Sequence, residues 1–126
     1  MTKSRGFDPY DYAFKLGIDV EYRSIGKNMG IWVADHNTIY LRPGMRAVHE
    51  RSVLTHELGH AALGHRVSNA KNERQANMWA AKKLINLDRL ADVRRVSTDP
   101  AVWAAELGVT LSLLECYMQQ LEMVVN

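Results

Sequence analysis

Cys116 is the only cysteine in the chain, so no disulfide can close within it. Small secreted domains more often carry several. No stretch comes near the roughly 20 apolar residues needed to span a bilayer. The first segment, Met1 to Tyr12, is polar, with Asp8, Pro9 and Asp11 where a signal peptide would place its apolar core. These absences lead us to expect a cytoplasmic protein with a reduced thiol and no membrane association. Cys116, among Leu113, Leu114, Tyr117 and Met118, is expected to be a small buried core residue. An excess of one charge is lacking too. The 16 Lys and Arg against 14 Asp and Glu leave +2, too little and too scattered to select nucleic acid or a membrane surface. Internal repeats and low-complexity tracts are absent, which excludes solenoids and linker-joined arrays.

What is present is an ordinary globular composition, 47% hydrophobic and 24% charged over 126 residues, enough for one domain and one core. Asp8-Pro9 caps and starts a short helix that runs through Phe14 and Leu16 to Gly17. Three strand candidates follow. Ile18, Val20 and Tyr22 alternate with polar residues, Gly30 to Ala34 comes after Gly26-Lys27-Asn28, and Thr38 to Leu41 comes after Asp35-His36-Asn37. Short turns between them predict an antiparallel meander. From Met45 on, the signals are helical. Apolar spacing predicts one helix over 45–65, and Ser68 or Asn69 caps a second through Ile85. A third follows Asp88, Asp99-Pro100 opens a fourth that Gly108 ends, and Thr110 caps a fifth. No flexible linker divides these pieces. The expected organisation is a single domain over 1–126, with the sheet and motif helices in 1–86 and a helical extension in 87–126.

The chemistry centres on His56-Glu57-Leu58-Gly59-His60. Four residues advance a helix by about one turn, so both imidazoles face one way and can share a metal such as zinc. Glu57 stands beside the first ligand, where a carboxylate can take a proton from water at the metal. Gly59 inside a helix costs about 1 kcal/mol relative to alanine, which suggests a close approach by another element.

A catalytic zinc site needs a third protein ligand. His65 lies five residues beyond His60, a rotation of about 500° on a continuing helix, which would carry it off the metal face. It is expected instead at the helix C-terminus, favoured there by the macrodipole. His49 is about 10 Å along the axis from His56, and His36 sits in a turn. Glu73 shares a face with Ala76, Asn77, Ala80 and Leu84, where a carboxylate is costly unless a charge meets it. Spacing alone leaves Glu73 equally readable as a solvated first-turn acid.

The segment His56-Glu57-Leu58-Gly59-His60-Ala61-Ala62-Leu63-Gly64-His65, followed by Glu73-Arg74-Gln75-Ala76-Asn77-Met78-Trp79-Ala80-Ala81, resembles the ImmA/IrrE metallopeptidases. In that family a helix beginning E-x-x-A-N-x-F-A-A follows the motif helix, with Trp79 at the aromatic position here. The resemblance implies Glu73 as the third zinc ligand beside His56 and His60, and Glu57 as the catalytic residue. It implies an α+β, zincin-like fold in which a small three-stranded antiparallel sheet packs on a mainly helical domain. It also implies a Zn²⁺ endopeptidase that cuts a partner repressor, itself a helix-turn-helix protein, in phage, mobile-element or stress-response systems. Where the family often has proline after the third-ligand helix, this chain has Leu84-Ile85-Asn86-Leu87-Asp88, which bears on the substrate cleft.

Two other readings compete. Ala104 to Thr110 and the helix after it look like a helix-turn-helix. That helix has no Lys or Arg from Leu111 to Val125 and is mostly apolar, unsuited to bases or phosphates, so no direct nucleic-acid binding is expected. A non-catalytic zinc-containing interaction module would have no need of Glu57, and structural zinc is usually closed by four ligands, often cysteines.

Overall fold

A computed structural model describes residues 6–125. Helix α1, Pro9–Leu16, begins where the Asp8 carboxylate accepts the Tyr10 and Asp11 N–H groups at 3.0 and 3.3 Å, with proline in the first turn. Gly17 ends it. The strands are β1, Asp19–Tyr22, β2, Gly30–Val33, and β3, Thr38–Leu41, with one turn of 3₁₀ helix, Ala34–His36, between the last two.

Their order is β1-β3-β2, and this departs from the expected meander. β2 and β3 form an antiparallel pair, but β1 runs parallel to β3, matching Asp19 with Thr38 and Tyr22 with Leu41. The cause lies in burial. All four residues of β3 are buried, as suits a strand covered on both faces, so β3 takes the centre and β1 and β2 the edges. The turn residues around Gly26 therefore belong to a crossover between the two edges, held by Arg42 donating to the Gly26 carbonyl.

Helix α2, Ala47–Ala62, is shorter than the 45–65 expected. Gly64 adopts φ 73°, Gly64 N–H bonds Ala61 O at 3.2 Å and His65 N–H bonds His60 O at 2.9 Å. This is the glycine-dependent helix ending that satisfies the last carbonyls and turns the chain back. Helices α3, Ala70–Leu84, α4, Leu87–Val96, α5, Pro100–Leu107, and α6, Leu111–Val125, complete the described chain. Asn69, Asn86, Asp99 and Thr110 cap them through side-chain oxygens. Asn86 serves α4, starting it just before Asp88.

Two apolar clusters hold the elements together. Ile18, Ile39, Leu41, Leu54 and Leu58 pack between the sheet, α1 and α2. Each large aliphatic side chain so buried contributes about 2 kcal/mol. Leu84, Leu90, Val93, Leu114 and Tyr117 pack among α3 to α6. Helix α3 belongs to both, since Trp79 borders the first cluster while Ala80, Ala81 and Leu84 lie in the second. Arg51 on α2 donates to the carbonyls of Gly108 and Phe7 at 2.9 and 3.4 Å, tying the motif helix to the α5–α6 turn. α5 and α6 meet at 108°, a helix-turn-helix angle, and α6 buries Leu113, Leu114 and Tyr117. Among the described residues no single helix is long and apolar enough to cross a membrane.

Candidate metal centre

The motif helix positions His56 and His60 one turn apart, and their Nε2 atoms stand 3.2 Å from each other. Glu73, in the first turn of α3, reaches across to both. Its Oε1 is 2.9 Å from His56 Nε2 and its Oε2 2.9 Å from His60 Nε2. A tetrahedral site with metal–nitrogen bonds of about 2.0–2.1 Å separates its donors by about 3.3 Å, close to these spacings. Two imidazole nitrogens and a carboxylate converging on one point are the donor set of a divalent cation. His56, His60 and Glu73 can therefore hold a metal such as zinc.

Glu57 joins the cluster without sharing its centre. Its oxygen groups with the His56 and His60 nitrogens within 4.8 Å, but it lies 4.0 Å from His56 Nε2, well beyond the 2.9 Å of Glu73. It is only 8% exposed, and its Oε1 accepts the Trp32 backbone N–H at 3.0 Å. Burial pushes its carboxyl up to about 7; His56 and the Trp32 N–H pull it down, and Glu73 pushes it further up. Burial likewise lowers His60, with His56 acting the same way. For Glu73 desolvation acts upward, but His56, Ser68 and His60 outweigh it and hold the carboxyl below its ordinary value.

The neighbouring elements are shaped for this approach. A Cβ on Gly59 would meet Ala76 O at 3.1 Å and the Trp79 ring at 3.2 Å, so the glycine is where α3 crosses α2 and brings Glu73 to the histidines. Trp79 in turn stacks edge-on against Tyr12 at 5.5 Å. A Cβ on Gly30 would lie 2.6 Å from Val53 Cγ1 and 3.2 Å from Glu57 Cγ, so β2 also lies tight against α2.

Two cavities open on Glu57 and Gly30. One, of about 340 Å³, contains the His60 and Glu73 side of the site and is bordered by Ile31, Trp32 and Ser68. The other, of about 350 Å³, extends past His56 to His49 and Ser52 and is walled by Leu113 and Cys116 of α6. Cys116 is thus half-buried on a cavity wall and not the core residue expected from its apolar neighbours. An apolar helix face can line a cavity as well as fill a core.

Of the other candidate ligands, His49 stays on the cavity wall and His36 contacts the Tyr40 hydroxyl at 2.9 Å, away from both cavities. His65 departs from expectation. It is 9% exposed, and its Nδ1 lies 2.9 Å from His60 Nδ1. The helix ends at Ala62, before rotation could carry residue 65 off the metal face, and the glycine at 64 is the sequence signal for that ending. Sequence reasoning also missed Ser68, whose hydroxyl donates to Glu73 Oε2 at 3.0 Å, leaving the cap of α3 to Asn69. It missed the Trp32 N–H as well, since a backbone donor has no residue signature.

The IrrE N-terminal-like domain, Peptidase_M78, matches residues 13–116. No curated protein sequence matches the chain. The match spans the sheet, the motif helix, the Glu73 helix and the wall formed by α6, and the chain belongs to this metallopeptidase family, the IrrE N-terminal-like domain.

Proposed function

We propose that the chain is a zinc-dependent endopeptidase that cuts a partner repressor, itself a helix-turn-helix protein, and so relieves repression in a phage, mobile-element or stress-response setting in the cytoplasm. The observation that carries the peptidase reading is the placement of Glu57. It stands beside the convergent donors of His56, His60 and Glu73 and is anchored to an edge strand. When bound, zinc supplies a Lewis acid that polarises a carbonyl and brings the pKa of water to about 7.

The protein's own groups do the rest. β2 is an edge strand. Arg42 N–H bonds Met29 O at 2.8 Å, so in the antiparallel register Ile31 and Val33 exchange bonds with β3, while Gly30 and Trp32 turn theirs outward. An extended substrate segment can pair there with the outward Gly30 groups and the Trp32 carbonyl, the Trp32 N–H being taken by Glu57. The outward Trp32 N–H holds Glu57 there at 3.0 Å, where the carboxylate takes the proton of the attacking water and passes it to the leaving amine. Ser68 and the α2–α3 contact at Gly59 hold Glu73 in place. The repressor as substrate follows from the family resemblance.

Incubation with helix-turn-helix repressors from the same genome tests this reading. Zinc-loaded wild type is expected to give one cleavage, and Glu57→Gln none, with its zinc retained. Cleavage by Glu57→Gln at the wild-type rate would overturn the mechanism.

A further inference from the structure

We propose that His65, oriented by Gln75, is a positioning residue that fixes His60 in the tautomer whose Nε2 lone pair faces the metal. The inference rests on the metal-centre reading above and adds a residue that the site does not otherwise use.

Protons can be assigned along the contacts. His65 Nε2 lies 2.8 Å from Gln75 Oε1, an amide oxygen that can only accept. An imidazole that carries one proton and donates it from Nε2 to that oxygen leaves its Nδ1 as an acceptor. His60 Nδ1 lies 2.9 Å from that acceptor, so it must carry the proton and donate. The opposite nitrogen of His60 is then the one left to offer its lone pair to a bound cation, and it is the one 2.9 Å from Glu73 and 3.2 Å from His56 Nε2. Metal-bound histidines commonly donate their second N–H to a carboxylate or carbonyl, which sets ring orientation and ligand strength. Here an imidazole held by an amide does that work.

The backbone makes the arrangement possible. The left-handed Gly64, at φ 73°, reverses the chain after α2, and the His65 N–H to His60 O bond at 2.9 Å clamps residue 65 against residue 60. Gln75 arrives from α3, the helix that also brings Glu73. One helix thus supplies a direct donor to the centre and the support for another.

The test uses the whole protein with ¹⁵N-labelled histidine. Long-range ¹H–¹⁵N NMR is expected to find His65 protonated on Nε2 and bare on Nδ1, with zinc and without it. Zinc affinity, measured by chelator competition, is expected to fall 10- to 100-fold in His65→Leu, as for other outer supports of metal ligands. It should fall less in Gln75→Leu and stand at or above wild type in Gln75→Glu, which keeps an acceptor. Gln75 is exposed, so its variants carry the test if His65→Leu does not fold. A proton on His65 Nδ1 would overturn the proposal, as would zinc affinity unchanged in every leucine variant that folds. A wild type that takes up no zinc while His65 keeps its Nε2 proton would instead sink the peptidase reading.

Discussion

Glu57 shows how one residue can be tuned by its surroundings. A carboxyl pushed up to about 7 by burial costs stability when ionised in the metal-free protein. Its folded value exceeds its unfolded one, so its contribution to stability is complete below about pH 4.5 and is lost as pH rises through about 7. With a chelator present, Glu57→Gln should gain on wild type across that window by on the order of 3 kcal/mol. Urea denaturation of both proteins at pH 5 and pH 8 checks this, and a pH-independent difference would contradict the burial of Glu57. At this scale the sequence was most legible where chemistry dictates spacing along one helix, as for His56, Glu57 and His60. Glu73 was open from spacing alone, because a first-turn acid looks the same whether it meets a metal or water. His65 was misplaced because rotation was extrapolated past a glycine that ends the helix.

Among the elements, the α2–α3 crossing decides whether the donors meet. Gly59 sits where a Cβ would press on the Ala76 backbone, 3.1 Å from its oxygen. Gly59→Val is expected to cost about 2 kcal/mol through overpacking, to lower Tm by several degrees and to weaken zinc binding by moving Glu73. Calorimetry with and without zinc would show both effects, and an unchanged Tm would place the crossing elsewhere. Helix α6 acts on the other side. Cys116→Trp should narrow the 350 Å³ cavity and slow the proposed repressor cleavage at least tenfold while zinc content stays at the wild-type level. Cleavage kinetics beside elemental analysis separate the two. The caps at Asp8, Asn69, Asp99 and Thr110 were readable because capping is local. The parallel β1–β3 pairing was not, since it joins residues 19 and 38 across an intervening strand, and turn residues mark a change of direction without naming the partner.

For the whole molecule, the helical C-terminal part is a wall of the site as well as an extension. Ala80, Ala81 and Leu84 of α3 are buried against α4 to α6, and Arg51 of the motif helix is bonded to Gly108. A chain ending at residue 86 is therefore expected to lack a cooperative unfolding transition, checked by circular dichroism on heating. A sharp transition in that fragment would show that 1–86 folds alone. The helix-turn-helix angle between α5 and α6 was legible from Gly108 and Thr110, whereas the use of α6 as a cavity wall depends on long-range packing that no local pattern encodes.

The central claim is that His56, His60 and Glu73 form one metal centre. Metal content of the purified protein, beside His56→Ala and Glu73→Ala under mild chelation, tests it most directly. Wild type is expected to hold about one zinc per chain, as for a single three-ligand catalytic site, and both variants to lose it. A wild type that stays metal-free after zinc is offered, or a Glu73→Ala protein that keeps its zinc as firmly as wild type, would contradict it.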